Sequence, residues 1–442
     1  FQAEDGIRDG AFGLVGSEMC IRDSHHGRLT MRQHYDIVIA GGGMVGISLA
    51  IYLAEVLPET TGIALVEGFP LPQPRPGHQP DYHPSFDARS TALSYSSRLI
   101  YERLGLWQGL QQWLCPIDSI HVSNRGRFGS TLMRADDHGW EALGYVVENA
   151  WLGASLAQAL HRQGKVELIN PARVIDACPT GEMTRLTLEG AEQPSLETAL
   201  LVVADGADSG LRKALGVGVS EKSYRQQALV ANVGFAEPHA GCAFERFTDR
   251  GPLALLPLLG VAGCANRSAL VWTLAPDEAE RLLNCAEEEF LDALHERFGY
   301  RLGRLSQVGE RHAYPLSLVQ SDEQVRQGVV VMGNAAHALH PVAGQGYNLA
   351  LRDVAELAKV LADAARQGEA LGALPVLQRY EQRQRGDQRR TIEFSDRLPG
   401  LFMLADPVVG LVRDLALSGL DLLPSLKRDF VNHAAGVAAL GE

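Results

Sequence analysis

Residues 35–46, YDIVIAGGGMVG, decide the architecture of this chain. Residues 35–40 are a short apolar run of the kind that makes a buried strand, and three glycines follow at fixed spacing. Gly41 permits a tight turn after the strand, Gly43 lets the backbone approach a pyrophosphate, and Gly46 lets the next helix pack on the sheet. Residues 47–56 place apolar side chains at helical spacing. Residues 63–66 form a second apolar run that ends in Glu67, 26 residues beyond Gly41. Strand, glycine turn, helix, strand and acid together predict a βαβ nucleotide unit. The helix start offers unpaired N–H groups and a partial positive charge to phosphates, and Glu67 offers acceptors to ribose hydroxyls. A glycine triplet alone is weak evidence; this context makes it a dinucleotide site.

Working outward, residues 70–84 hold six prolines and no period, which predicts a surface loop. Residues 94–110 read as a helix, 117–150 as short strands with turns, and 151–162 as a helix. Residues 198–204 are a buried strand running into ADGADSGLRKALG. Residues 228–272 suggest antiparallel strands, 277–298 a helix, 329–332 a buried strand and 348–366 a long helix. From residue 374 the pattern is helical, with breaks expected at Pro399, Pro407 and Pro424. Nucleotide-type elements thus recur at the beginning, middle and end. The expected fold is α/β: a Rossmann-type cofactor domain built from discontinuous segments (31–110, 151–215 and 315–370), an inserted antiparallel β-sheet substrate domain (111–150 and 216–314), and a C-terminal helical region (371–442).

Composition narrows the function. A formal net charge of −13 argues against a nucleic-acid surface. Six scattered cysteines with no CxxC pair argue against a zinc site or a disulfide framework and predict a reducing, cytoplasmic setting. No uncharged apolar run approaches the roughly 20 residues of a spanning helix. Residues 1–24 have no period, repeat a small word as GIRD and CIRDS, and resemble translated adaptor DNA; a genuine disordered extension is the alternative. They lack the features of a signal peptide, Met31 is the expected start, and residues 1–30 are set aside from the fold.

Two further motifs carry chemistry. Asp205-Gly206, with Ser209 and Arg212, sits between a buried strand and a short helix; by itself it reads equally as a strand-to-helix turn with Ser209 as N-cap. The stretch 333–353, GNAAHALHPVAGQGYNLALRD, places small residues after Asn334 and opens a helix at Gly344-Gln345-Gly346. A second helix start then points into a loop free of bulky side chains, suited to a developing negative charge.

In this order the three motifs resemble the class A FAD-dependent aromatic hydroxylases, the para-hydroxybenzoate hydroxylase superfamily, over residues 35–396. The phrases HVSNRGRFG, AFERFTDRGPLALLPL and GNAAHALHPVAGQGYNLALRDV resemble its ubiquinone-biosynthesis branch, above all the 2-polyprenyl-6-methoxyphenol hydroxylases. The resemblance implies FAD held by Gly41, Gly43, Gly46, Glu67, Arg89 (in Asp87-Ala88-Arg89), Asp205, Gly206, Asn334, Pro341, Gly344, Gly346 and Asn348. The Asp205 motif would serve NADPH or NADH as well. Where the superfamily usually has Asp, this chain has Asn334, an acceptor without charge that the methoxyphenol branch also carries.

The implied reaction is hydroxylation of a polyprenylated phenol by O2 with NAD(P)H as reductant. The N–H groups of Gly344, Gln345 and Gly346 would meet the negative charge of the reduced flavin, with Pro341 against the ring. An acceptor for the phenol proton is required, and the sequence names none. His337 and His340 read as structural or loop residues, with a role as base the alternative, Arg246 as a surface or cap residue that would alternatively meet NAD(P)H, and residues 251–257 as core or as the wall of an isoprenoid pocket. Residues 401–423 read as a packing or dimer helix, or alternatively as a helix at the membrane surface. A lipid substrate is compatible with a peripheral seat at the inner face of the membrane or in a ubiquinone-biosynthesis complex. Competing readings are a hydroxylase of a small soluble phenol, a flavin reductase, and a non-catalytic FAD-containing lipid-binding subunit.

Overall fold

The run at residues 35–40 becomes the strand His34–Ala40, the centre of a mostly parallel sheet. The computed structural model describes residues 32–71, 80, 82–125, 130–340, 344–403 and 424–437. Residues 1–24, Pro341 and all but the first turn of the 401–423 stretch lie outside the described residues, as do the expectations placed on them.

His34–Ala40 is flanked in parallel by Ser195–Val203 on one side and Ile63–Val66 on the other, with Ala40 in register with Val203 and Val66. Val329–Val331 continues the sheet beyond Ser195–Val203, and Val166–Ile169 continues it beyond Ile63–Val66. These strands are apolar at almost every position because both faces are buried, the one with Ile37, Ile39, Leu65, Leu200 and Val202 under helices. Met44–Val56 packs with Asn149–Gln163 and with the 22-residue helix Gln345–Arg366, whose buried stripe includes Leu351, Val354, Leu357 and Leu361.

A second, nine-stranded sheet of mainly antiparallel strands includes Val219–Phe235, Cys242–Thr248, Gly251–Leu258, Arg267–Leu274 and His312–Ser321. One face, with Leu229, Phe235, Leu253, Leu255, Leu270 and Trp272, packs against the helices Pro276–Asn284 and Glu287–Phe298. A three-stranded sheet joins Ser90–Ser94, Gly144–Glu148 and Leu114–Ile117. Ser90–Ser94 and Gly144–Glu148, which the sequence pattern places in different domains, are therefore antiparallel neighbours.

The single helices read over 94–110 and 277–298 are each two, Tyr95–Arg103 and Trp107–Leu110, then Pro276–Asn284 and Glu287–Phe298. At Pro399 the expected break does not occur: the helix Leu374–Met403 runs through it. A proline deletes one bond of the helical ladder, and its neighbours hold the rest. Pro424 does mark a boundary, at the start of the helix Pro424–Ala434. Among the described residues no helix is long and apolar enough to cross a membrane.

Candidate active site

The glycine turn separates two kinds of glycine. Gly41 has φ +111°, and a Cβ there would lie 2.3 Å from the Ala204 carbonyl oxygen. At Gly46 a Cβ would lie 1.9 Å from the Gly41 carbonyl oxygen, so the helix lies directly on the turn. At Gly43, the N-cap, a Cβ would meet no protein atom within 4 Å. No side chain caps this helix start and no acid lies in its first turn, which leaves its N–H groups facing that space. Glu67 stands beside it, held by N–H groups of Gly42 at 2.6 Å and Phe69 at 2.9 Å, one on each carboxylate oxygen. Each oxygen keeps a further lone pair for a hydroxyl donor. Open space, free donors and an oriented carboxylate fit the ADP half of a dinucleotide.

The other motifs converge on the same edge. Gly206 has φ +98°, and Asp205 Oδ2 accepts from Leu211 N–H at 3.4 Å. Ser209 Oγ caps the short helix by accepting from Arg212 N–H at 2.9 Å. The buried Arg212 guanidinium then donates to Ala335 O at 2.7 Å, tying the Asp205 motif to the Asn334 turn. That turn sits on the first helix: a Cβ at Gly333 would touch Val45 at 3.3 Å. Asn334 itself is exposed.

Gly344, at φ +59°, caps the helix Gln345–Arg366. Asn348 is engaged by protein on every side. Its Oδ1 accepts from Ser94 N–H at 2.8 Å and Ser97 Oγ at 2.7 Å, and its Nδ2 donates to Ala92 O at 2.9 Å and Gly344 O at 2.8 Å. With both donors and both acceptor sites used, Asn348 anchors the helix start to the strand Ser90–Ser94 and has no capacity left for a cofactor. Tyr347, from the same turn, bonds the Tyr101 hydroxyl beside Ser48 of the first helix.

Arg89 is exposed and donates to Tyr314 Oη at 3.3 Å, on the second sheet. The loop before it is fastened by a buried pair that sequence reasoning missed. Arg267 donates to Glu148, to Leu259 O at 2.7 Å and to Ser85 O at 2.6 Å, while Glu148 also accepts from the Tyr82 hydroxyl. Asn232 Nδ2 adds bonds to Phe86 O and Ala88 O at 2.6 and 2.8 Å.

His337 lies in the short strand His337–Ala338, buried 3.3 Å from the equally buried Asp353, although the pair is not aligned as a hydrogen bond. His340 is buried edge-on to Tyr224, and burial pushes it down to about 4, leaving it neutral at physiological pH. Both fit structural roles. Arg246 points to the helical side of its sheet, donating to Arg297 O at 3.0 Å.

The family model for an FAD binding domain matches residues 101–395. Ubiquinone hydroxylase UbiL of Rhodospirillum rubrum is 34% identical over 92% of this chain and 90% of its own length. The chain belongs to the FAD-dependent ubiquinone-biosynthesis hydroxylases. The family likeness extends to the 3-demethoxyubiquinol 3-hydroxylase of Escherichia coli, 31% identical over 92% of this chain and 99% of that protein. The p-nitrophenol 4-monooxygenase PnpA of Pseudomonas putida shares the hydroxylase fold, with a TM-score of 0.70 at 16% identity over 92% of this chain and 99% of that one.

For this hydroxylase an exposed Asn334 gives a clean test of the third motif. Asn334→Asp keeps an acceptor and is expected to bind FAD near normally. If Asn334 accepts from a cofactor hydroxyl, Asn334→Leu leaves that hydroxyl unpaired, at about 1–3 kcal/mol, or roughly five- to 150-fold in affinity. FAD titration of the apo variants measures both; unchanged affinity in the Leu variant means the side chain does not meet the cofactor.

Proposed function

We propose that this chain hydroxylates a polyprenylated phenol of the 2-polyprenyl-6-methoxyphenol type, consuming O2 and NADPH or NADH. The observation that carries this reading is the convergence of the three motifs on one edge of the parallel sheet. The open space at Gly43, the oriented Glu67 and the Asn334 turn lying against Val45 are all on that edge. Bound there, FAD would supply the two-electron reduction of O2 and the transfer of one oxygen atom to the ring.

The chain's own residues bind, orient and shield. N–H groups at the start of Met44–Val56 would hold the pyrophosphate, and Glu67 and Asn334 would take hydroxyl groups. Arg89 would turn from Tyr314 toward the phosphates. The backbone N–H groups of Gly344, Gln345 and Gly346, at the positive end of a 22-residue helix, would lie against negative charge on the reduced ring. Pro341 would flank that ring. Asp205 and Gly206 would border both the flavin and the nicotinamide donor. A substrate with an isoprenoid tail also places the enzyme at the cytoplasmic surface of the membrane that dissolves it.

Incubation of the holoenzyme with a prenylated 6-methoxyphenol, NAD(P)H and O2 is expected to give a product heavier by one oxygen atom, read by mass spectrometry with 18O2. NAD(P)H consumption with no oxygenated product would overturn the reading in favour of a reductase. Turnover of unprenylated phenols alone would point to a soluble substrate.

A further inference from the structure

Strand Cys242–Thr248 presents Phe244 and Arg246 to the helical layer: Phe244 meets Phe298 edge-on at 5.4 Å, and Arg246 donates to Arg297 O. Alternation then turns Ala243, Glu245 and Phe247 to the opposite face. That is also the face on which Asn232 grips the loop leading to Arg89. Cross-strand register aligns Glu245 with Val122 on one side and with Ala254, Val271 and Val230 on the other. All five positions are partly exposed, so a strip open to solvent crosses the sheet. Buried clusters flank it, one with Ala243, Leu258 and Val146 and the other with Met133, Leu143 and Val431.

The strip ends close to the turn assigned to the flavin. Val431 of the helix Pro424–Ala434 packs in the cluster that touches Val122, the immediate neighbour of Glu245. Three residues on, Ala434 O accepts from Gln345 Nε2 at 3.1 Å. Three residues of helix rise about 4.5 Å. One turn of this helix therefore links the cluster beside the strip to the start of Gln345–Arg366.

Glu245 is the only carboxylate on the strip, and among the described residues it has no hydrogen-bond or ion-pair partner. The same-face positions beside it are Ile120, Val122 and Asn124 on one strand and Pro252, Ala254 and Leu256 on the other. Helix Leu374–Met403 also passes these strands. Its charged groups near that end are engaged elsewhere, Asp396 by Lys222 and Tyr224 and Arg397 by Glu393. On the helix Pro424–Ala434, Lys427 donates to Leu132 O, and Arg428 and Asp429 are exposed. A carboxylate half-withdrawn from water among apolar side chains is costly to keep charged, and with no protein partner its lone pairs are open to a donor on a ligand that enters the strip.

We propose that Glu245 binds the substrate's phenol hydroxyl and accepts its proton. This role rests on the functional reading above and supplies the acceptor that the sequence could not name. The phenol O–H bond breaks, the proton joins a carboxylate oxygen of Glu245, and the electron pair left on the phenol oxygen enriches the ring positions ortho and para to it. Glu245 passes from anion to neutral acid and returns the proton to the product's oxygen on release. Surrounding protein pushes the Glu245 carboxyl up to about 8, which brings its proton affinity toward that of a phenol and makes it a stronger base than an ordinary carboxylate. The basic form prevails above that pH, so turnover is expected to rise through pH 8 and then level off.

The test compares holoenzyme of the parent, E245Q and E245D, with 2-prenyl-6-methoxyphenol as probe. Gln keeps the shape but cannot take a proton, so kcat is expected to fall on the order of 10²-fold. The rising limb near pH 8 should vanish, and FAD content should stay equal to the parent's. E245D, which can still take a proton, should keep a rising limb at reduced kcat. An FAD-replete E245Q with kcat within threefold and an unchanged pH profile overturns the role of Glu245 alone. A parent that oxygenates no prenylated phenol overturns the functional reading and this role with it.

Discussion

Gly43→Val is expected to give a folded protein that holds no flavin, and Gly46→Val is expected to give no folded protein at all. The two glycines stand three residues apart in one motif, yet a Cβ meets nothing at the first and a carbonyl oxygen at 1.9 Å at the second. At Gly43 the backbone is extended, with φ −69° and ψ 178°, a conformation any residue adopts. Valine there costs the apoprotein only a few tenths of a kcal/mol but fills the space facing the helix N–H groups. Overpacking of about 3 kcal/mol against the pyrophosphate corresponds to roughly a 150-fold loss of FAD affinity. Valine at Gly46 must push the helix Met44–Val56 off the turn beneath it. That helix buries Ile47, Leu49, Ile51 and Leu53 in the main core. Flavin absorbance of the purified proteins and thermal melts of the apo forms separate the two effects. A Gly43→Val protein that is yellow means the phosphates lie elsewhere; one that does not fold means the position is structural.

Arg267→Met is expected to destabilise the protein by about 3–5 kcal/mol, because it strands Glu148 in the interior without its cation. Arg267 and Glu148 are 0% and 5% exposed. The loss extends beyond the pair, since Arg267 also satisfies the carbonyls of Leu259 and Ser85. Removing both charges with Glu148→Leu and Arg267→Met should recover much of the stability, as an apolar pair of similar volume carries no desolvation penalty. Urea denaturation midpoints of the three variants measure the coupling. If the double variant is as unstable as the sum of the singles, the carbonyl contacts of Arg267 dominate and the ion pair contributes little. The loop that carries Arg89 hangs on this cluster, so the single variant should also bind FAD less tightly.

Four strands of the parallel sheet were legible because each is a short apolar run bounded by glycine or acid; Val166–Ile169, with Glu167 inside it and Lys165 and Asn170 at its ends, was not. The turn at Gly41 was equally local. Asn348 was less so: its motif pairs it with the cofactor, but its four hydrogen bonds depend on residues 92–97, some 250 positions away. Glu245 was hidden for the same reason. In AFERFT the alternation is plain, but which of its two faces meets helices and which stays open is decided by residues 276–298. A lone acid alternating with Ala243 and Phe247 was the one available sign. Arg267 and Glu148 read as surface charges in isolation; only their meeting across 119 residues makes them core.

Arg212 donating to Ala335 and Val329–Val331 slotting beside Ser195–Val203 have a consequence for biosynthesis. The ribosome makes Gly43, Glu67 and Asp205 long before the strand at Val329 that brings the Asn334 turn to them. Until then Leu201, Val202 and Val203, all fully buried in the finished sheet, stand at an unpaired edge. A nascent chain halted short of Val329 therefore carries half a cradle and a sticky border. Flavin capture is expected to be a late event, and the interval before it is when that exposed edge is open to wrong pairing.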